Sequence, residues 1–112
     1  MVTWATFRVK DVVHERGAAT WFRSSEGARR AFCAMCGTPL FFQADASPGE
    51  VDVTVGSLDH PESVTPSRHT HVASQLPWVS TADGLPRYRG DGGSEPLPAT
   101  PAGSRSKRRR RP

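Results

Sequence analysis

Two cysteines three positions apart are the residues of this chain with the clearest chemistry. Cys33 and Cys36 are separated by Ala34 and Met35, and Gly37 follows directly. Two thiolates at this spacing bind one metal ion when the chain between them turns tightly, and Zn²⁺ accepts such soft ligands in a tetrahedron. A glycine after the second cysteine can take a positive φ, which is typical of a zinc knuckle. The motif therefore predicts Cys33 and Cys36 as zinc ligands.

Two other interpretations of the cysteine pair are open. A thioredoxin-type redox pair follows a strand and begins a helix. Here Gly37 and Pro39 come almost directly after Cys36, and an apolar, strand-like segment follows. The third interpretation is a pair of structural cysteines without any ligand. We favour metal binding over both.

A single Cys-x-x-Cys motif supplies two of the four ligands of a tetrahedral site. His69 and His71 are two positions apart, so on a strand they would face the same side and could complete a Cys₂His₂ site. The alternative, which we favour, is that one histidine packs and the other is solvated, because histidines are commonly partly buried without being ligands. We expect His14 and His60 at the surface.

The elements that must position these residues are strands. β-branched and aromatic residues and their alternation predict strands at 4–9, 20–24, 29–33, 39–43, 51–55 and 69–73. The segments 29–33 and 39–43 flank the cysteine pair as a tight hairpin. We find neither an amphipathic helix of ten or more residues nor an internal repeat, so the expected fold class is mostly β. Trp78 is expected in the core.

Composition and charge limit the organisation and the function classes. The length of 112 residues suits one small domain, and no apolar run approaches the ~18 residues that cross a bilayer, which predicts no membrane partner. The N-terminus lacks the basic and apolar pattern of a secretory signal, so we expect a cytoplasmic protein. The two cysteines exclude a disulfide-dense scaffold.

The net charge of +4 comes from residues 91–112, because residues 1–90 hold nine basic and nine acidic residues. We expect a domain at 1–89 and a disordered, Gly- and Pro-rich tail at 90–112 with a basic C-terminus. The run of five cations at 107–111 could neutralise phosphates of a nucleic acid. We favour a solvated tail, since runs of like charge are usually extended.

The sequence around the cysteine pair resembles a known family. Residues 21–40, which end in Cys33-Ala34-Met35-Cys36-Gly37-Thr38-Pro39-Leu40, resemble the glutathione-dependent formaldehyde-activating enzymes, a family also named for centromere protein V. The resemblance continues at 51–59, 69, 76–78 and 84–88 and covers residues 2–88. It implies a small zinc-containing, Mss4-like β fold. It also implies a carbon–sulfur lyase that joins formaldehyde and glutathione into S-hydroxymethylglutathione, so the expected partner is a small thiol or its adduct.

The family has a structural zinc held by a Cys-x-Cys and a later Cys-x-x-Cys, and a catalytic zinc held by a Cys-x-Cys-x-x-Cys. Cys33 and Cys36 match the second half of the structural site. No residue matches the first half or the catalytic cysteines, since the chain has no other Cys. The resemblance thus implies a fold that is incomplete at its N-terminus, and we assign no catalytic residue.

Two hypotheses account for the missing cysteines. The first is a misplaced start site, which would leave the cysteine motifs upstream of Met1; the excess of Arg over Lys, thirteen to two, suggests the GC-rich coding in which such errors occur. The second is a truncated, non-enzymatic interaction module. In that case two chains could share one Zn²⁺ between their cysteine pairs in a homodimer.

Overall fold

The computed structural model describes residues 1–13 and 17–97 of the chain. Contacts divide the chain into two compact units, Met1–Thr65 and Pro66–Pro112. This division differs from the boundary at residue 89 that the composition suggested. Within the described residues, regular structure consists of strands and short 3₁₀ helices, so the expected mostly-β class is confirmed. No helix among them is long and apolar enough to span a membrane.

The first unit is an antiparallel sheet of five strands. The strands are β1 (Trp4–Arg8), β2 (Ala19–Ser25), β3 (Ala28–Cys33), β4 (Pro39–Ala44) and β5 (Glu50–Thr54), and their spatial order is β1-β5-β4-β3-β2. Each bound lies within one residue of the sequence prediction. The agreement follows from β-branched and aromatic residues, which fit a pleated, half-buried surface. Short 3₁₀ helices at Val9–Asp11, Val55–Ser57 and Pro61–Ser63 connect or follow the strands.

Small side chains form the core of this sheet. Val51 and Val53 are each 7% exposed, which bears out the half-buried alternation expected for this strand. Ala31, at 2% exposed, lies on the inner strand β3, paired with Trp21 on one side and Phe41 on the other. Residues that are directly opposite each other on neighbouring strands share a face. The two rings therefore lie on the same face as Ala31.

The second unit contains a two-stranded ribbon of β6 (Arg87–Tyr88) and β7 (Pro96–Leu97). The composition predicted a disordered tail from residue 90. β7 lies within this region, and residues 90–97 have defined turns and strand pairing. A backbone hydrogen bond of 3.3 Å from Arg89 N–H to the Glu95 carbonyl supports this ribbon. Residues 98–112, which include the expected basic C-terminus, lie outside the described residues.

Two sequence predictions in this unit are wrong. The strand at 69–73 does not form: only His69 makes a bridge, and Val72–Ser74 is a 3₁₀ helix. The reason is His71, whose φ of 54° places it in the left-handed region and ends the extended chain. Trp78, expected in the core, is 78% exposed. An aromatic residue type does not show whether other residues cover the ring, so the sequence did not reveal the exposure of Trp78.

Candidate metal site and an apolar groove

The cysteine pair lies in the turn that joins β3 to β4. The backbone N–H of Gly37 donates to the Cys33 carbonyl at 2.6 Å, and the Cys33 N–H donates to the Thr38 carbonyl at 3.0 Å. Gly37 has a φ of +79°, which a residue with a Cβ rarely adopts. These features form the tight turn that the motif predicted, and they bring the two ends of the Cys-x-x-Cys segment together.

Both thiols are free, and they differ in exposure. Cys33 is half-buried at the end of β3, whereas Cys36 is exposed. The side chain between them in sequence, Met35, is 93% exposed and leaves the outer surface of the turn open. A metal ion, an oxidant or a partner's side chain can therefore reach Cys36 directly from solvent.

Hydrogen bonds favour the thiolate form of Cys36. The Thr38 hydroxyl lies 3.1 Å from the Cys36 sulfur, and the Thr38 backbone N–H and the Cys33 thiol also interact with it. Together these contacts lower the pKa of Cys36, with the Thr38 hydroxyl contributing most and slight desolvation acting in the opposite direction. A thiolate is both the nucleophilic form and the metal-ligating form of cysteine.

The arrangement fits half of a tetrahedral zinc site. Cys33 and Cys36 are hydrogen-bonded neighbours in a turn, and donors from Thr38 surround the exposed sulfur. Within 1–13 and 17–97, no group of three or more His, Cys, Asp or Glu side chains is placed to hold a metal ion. The second, three-cysteine zinc site that the resemblance implies does not fit this chain, because the chain has two cysteines in all.

The side chain of His69 contacts Asp83, whereas one interpretation of the sequence considered it as a zinc ligand. Its Nε2 lies 2.9 and 3.0 Å from the two carboxylate oxygens of Asp83, and its side chain is 16% exposed. The Leu85 backbone N–H also donates to Asp83, and this bond, followed by the contact with His69, lowers the pKa of the carboxyl. His69 is thus a partly buried hydrogen-bond partner of Asp83.

His60 and His71, the other histidines in the described part of the chain, belong to no group of three or more potential metal ligands. His71 is exposed, and its backbone N–H donates to the Gly90 carbonyl at 2.6 Å. His60 is exposed and lies 3.6 Å from a Glu62 carboxylate oxygen. His14 lies outside the described residues.

A groove on one face of the first unit was missed by the sequence reasoning. It has a volume of about 390 Å³. Its lining residues are Val9, Val12, Gly17, Ala18, Ala19, Trp21, Arg29, Phe41, Gln43 and Val51. The available signal was the alternation within β3 and β4, which places residues 29 and 31 and residues 41 and 43 on one face.

A known protein family matches the first two thirds of the chain. The family described as glutathione-dependent formaldehyde-activating enzyme matches residues 1–74. This range includes the whole five-stranded sheet and the Cys33–Cys36 turn. Comparison with curated proteins and comparison with solved structures each give no match. Because the match extends over more than half of the sequence, the chain belongs to the glutathione-dependent formaldehyde-activating enzyme family.

Proposed function

We propose that this chain is a zinc-binding domain in which Cys33 and Cys36 supply two ligands of a structural zinc. The observation that carries the proposal is the β3–β4 turn, in which an exposed Cys36 has a lowered pKa beside the Cys33 thiol. Both features favour binding of a soft divalent metal. Zinc bound here would fix the end of β3 against the start of β4 and stabilise the hairpin.

This proposal includes the activity of the family only for a protein that also contains the family's catalytic cysteines. Carbon–sulfur lyase chemistry on a thiol adduct such as S-hydroxymethylglutathione would use the family's catalytic zinc, for which this chain has no cysteines left. We therefore assign no catalytic residue to the chain. We propose that a small thiol or its adduct is the substrate class of a protein that contains this domain together with the family's catalytic cysteines.

A second candidate function is a non-enzymatic interaction module. Cys36 is exposed, and no third ligand lies beside the pair within the described residues. Two copies of the turn, related by a two-fold axis, would together present four sulfurs, which is the number that a closed structural zinc site takes. The partner would then be a second copy of this chain, and zinc would hold the homodimer together.

Zinc content and mass, measured together on the purified chain, distinguish these candidates. One zinc per two chains in a dimer that dissociates on chelation supports the shared site. One zinc per monomer supports a site that is completed within the chain and rules out sharing. A zinc-free chain contradicts both. Cys36→Ser should abolish zinc binding, whereas Met35→Leu, a change at an exposed position of the same turn, should leave it unchanged.

Two further expectations concern the cellular location of the protein and the function of residues 107–111. We propose a cytoplasmic location, because free thiols persist in reducing compartments. Nucleic-acid binding through residues 107–111 also stays a prediction, since those residues lie outside the described part of the chain. Deletion of residues 104–112 should abolish any such binding, and binding that survives the deletion would contradict it.

A further inference from the structure

We propose that the groove on the β2–β3–β4 face binds a small organic monocarboxylate with an aromatic or aliphatic body. This site is separate from the Cys33–Cys36 turn, and the proposal does not depend on zinc. Ligand sites in proteins are mostly apolar, with a few placed polar groups that orient the ligand. The groove has this composition: eight of its lining residues are apolar or glycine, and the other two are Arg29 and Gln43.

The guanidinium of Arg29 is held in position by two neighbours. It lies over the Trp21 ring, 4.1 Å from the ring centroid. Its Nε and Nη2 both donate to Gln43 Oε1, at 3.0 and 2.6 Å. Stacking on an indole and a planar donor fork are the interactions for which arginine is suited.

Gln43 is itself held by the backbone. Its Nε2 donates to the Pro48 carbonyl at 3.1 Å and to the Glu50 carbonyl at 3.2 Å, both on the loop side of β5. The amide oxygen is therefore turned toward Arg29. A ligand that meets this arrangement finds a guanidinium whose position is already set, which reduces the entropy lost on binding.

The charged residues that the structure describes on this face favour an anion with one negative charge. Arg23, which pairs with Arg29 across β2 and β3, is neutralised by Asp45 at 2.7 Å. Within residues 1–13 and 17–97, Arg29 makes no ion pair and is the one charged residue that lines the groove. Its bonds to Gln43 use Nε and Nη2, and a guanidinium presents further donors on Nη1. A carboxylate matches this single charge and can accept two parallel hydrogen bonds.

The apolar part of the groove accounts for the rest of the ligand. Trp21 and Phe41 stack with their ring centroids 5.7 Å apart, and Val51 is buried at 7% exposed. Trp21 itself is 37% exposed, so its ring has surface left to cover. A body of the size of a phenyl ring with a two-carbon linker places an apolar group against these residues while its carboxylate reaches Arg29.

Titration of the full ¹⁵N-labelled chain with 3-phenylpropionate, followed by NMR, tests the proposal. We expect saturable shifts at the Trp21 indole N–H and at the Gln43 side-chain amide. The neutral analogue 3-phenylpropionamide should bind about tenfold more weakly, the factor expected for loss of one charge-assisted hydrogen-bonded pair. Arg29→Gln should reduce the affinity for the acid to that of the amide. Arg30→Gln, which removes a charge from the opposite face of β3, should change it less than twofold.

A second variant keeps the test independent of any folding defect in Arg29→Gln. Gln43→Glu preserves an oxygen acceptor for Arg29 and places a negative charge beside it, but loses the donor to the Pro48 and Glu50 carbonyls. The acid should no longer bind, and continued binding of the amide shows that the groove is intact. Equal affinity of the wild-type chain for acid and amide would overturn the proposal. It would also be overturned if the groove signals broaden with protein concentration as the mass doubles, because a second copy would then occupy the groove.

Discussion

Trp21 and Phe41 stack with nearly parallel rings although β3 runs between the strands that carry them. Their ring centroids are 5.7 Å apart and their planes differ by 11°. The strands β2 and β4 are roughly 10 Å apart, since neighbouring strands are separated by about 4.8 Å. Ala31, which pairs with both residues, ends at Cβ and is 2% exposed, so we infer that its small side chain allows the rings to meet.

A larger residue at position 31 should separate the two rings. We expect Ala31→Leu to lower the free energy of unfolding by about 1–3 kcal/mol, because extra methylene groups in a packed core force side chains off their preferred rotamers. Chemical denaturation followed by tryptophan fluorescence measures this. Ala34→Leu, at an exposed position in the turn, should stay within about 0.5 kcal/mol of wild type. Equal stability of both variants would show that the small size of Ala31 is not what allows the rings to meet.

The positive φ of Gly37 should make this position intolerant of a side chain. No atom lies within 4 Å of a Cβ built there, so the cost of Gly37→Ala is conformational, about 1–2 kcal/mol. The matched control is Gly56→Ala, which also has open space but lacks a positive φ. Thermal unfolding should show a lower Tm for the first variant and little change for the second. Similar values for the two would contradict the turn geometry.

The two cysteines should react at different rates. Because Cys36 is exposed and its pKa is lowered, we expect iodoacetamide to alkylate it several-fold faster than Cys33 near neutral pH. Thr38→Val removes the hydroxyl that contributes most to this shift and should move the pH–rate profile of Cys36 to higher pH. Peptide mass spectrometry at timed intervals gives both rates.

The control for this measurement is Thr6→Val, at a threonine on the edge strand β1, which β5 and β4 separate from β3. It should leave the alkylation profile unchanged. Equal rates at the two cysteines, or an unchanged profile in Thr38→Val, would contradict the assigned hydrogen bond. Added zinc should protect both thiols if they are its ligands.

The His69–Asp83 pair should make the second unit sensitive to acid. Folding lowers the pKa of Asp83, so the carboxylate contributes stability that is fully present above the ordinary carboxyl pKa of about 4. This contribution is lost as the pH falls through the lowered pKa. Asp83→Asn cannot titrate, so its melting temperature should fall less than that of wild type between about pH 4 and pH 2. Parallel profiles would show that the pair does not contribute.

The sheet of the first unit could be predicted from sequence because its strands have local signatures. Val51 and Val53 alternate with polar residues, and the position of Gly37 marks the turn between β3 and β4. Position 71 lacks such a signature, since a histidine in the left-handed region looks like any other histidine in a β-rich string. The exposure of Trp78 likewise depends on which segments pack against it, and no local pattern carries that information.

The cysteine pair and the groove differ in how far the sequence alone could identify them. The cysteine pair is a contiguous motif, so spacing alone identified it. The groove is assembled from separate strands, and the interaction of Arg29 with Gln43 depends on the register between β3 and β4. A shift of one residue would turn both side chains to the other face. Such a site becomes visible only when pairing is known.

The strand order β1-β5-β4-β3-β2 also has a consequence for biosynthesis. The strands from β2 to β5 each pair with their neighbour in sequence, so these hairpins can form as the chain emerges from the ribosome. β1 is made first, yet its partner β5 follows roughly 40 residues later, which at 5–20 residues per second is a delay of several seconds. During that interval Trp4 and Phe7 have no strand beside them, and the oldest strand of the sheet is the last to join it.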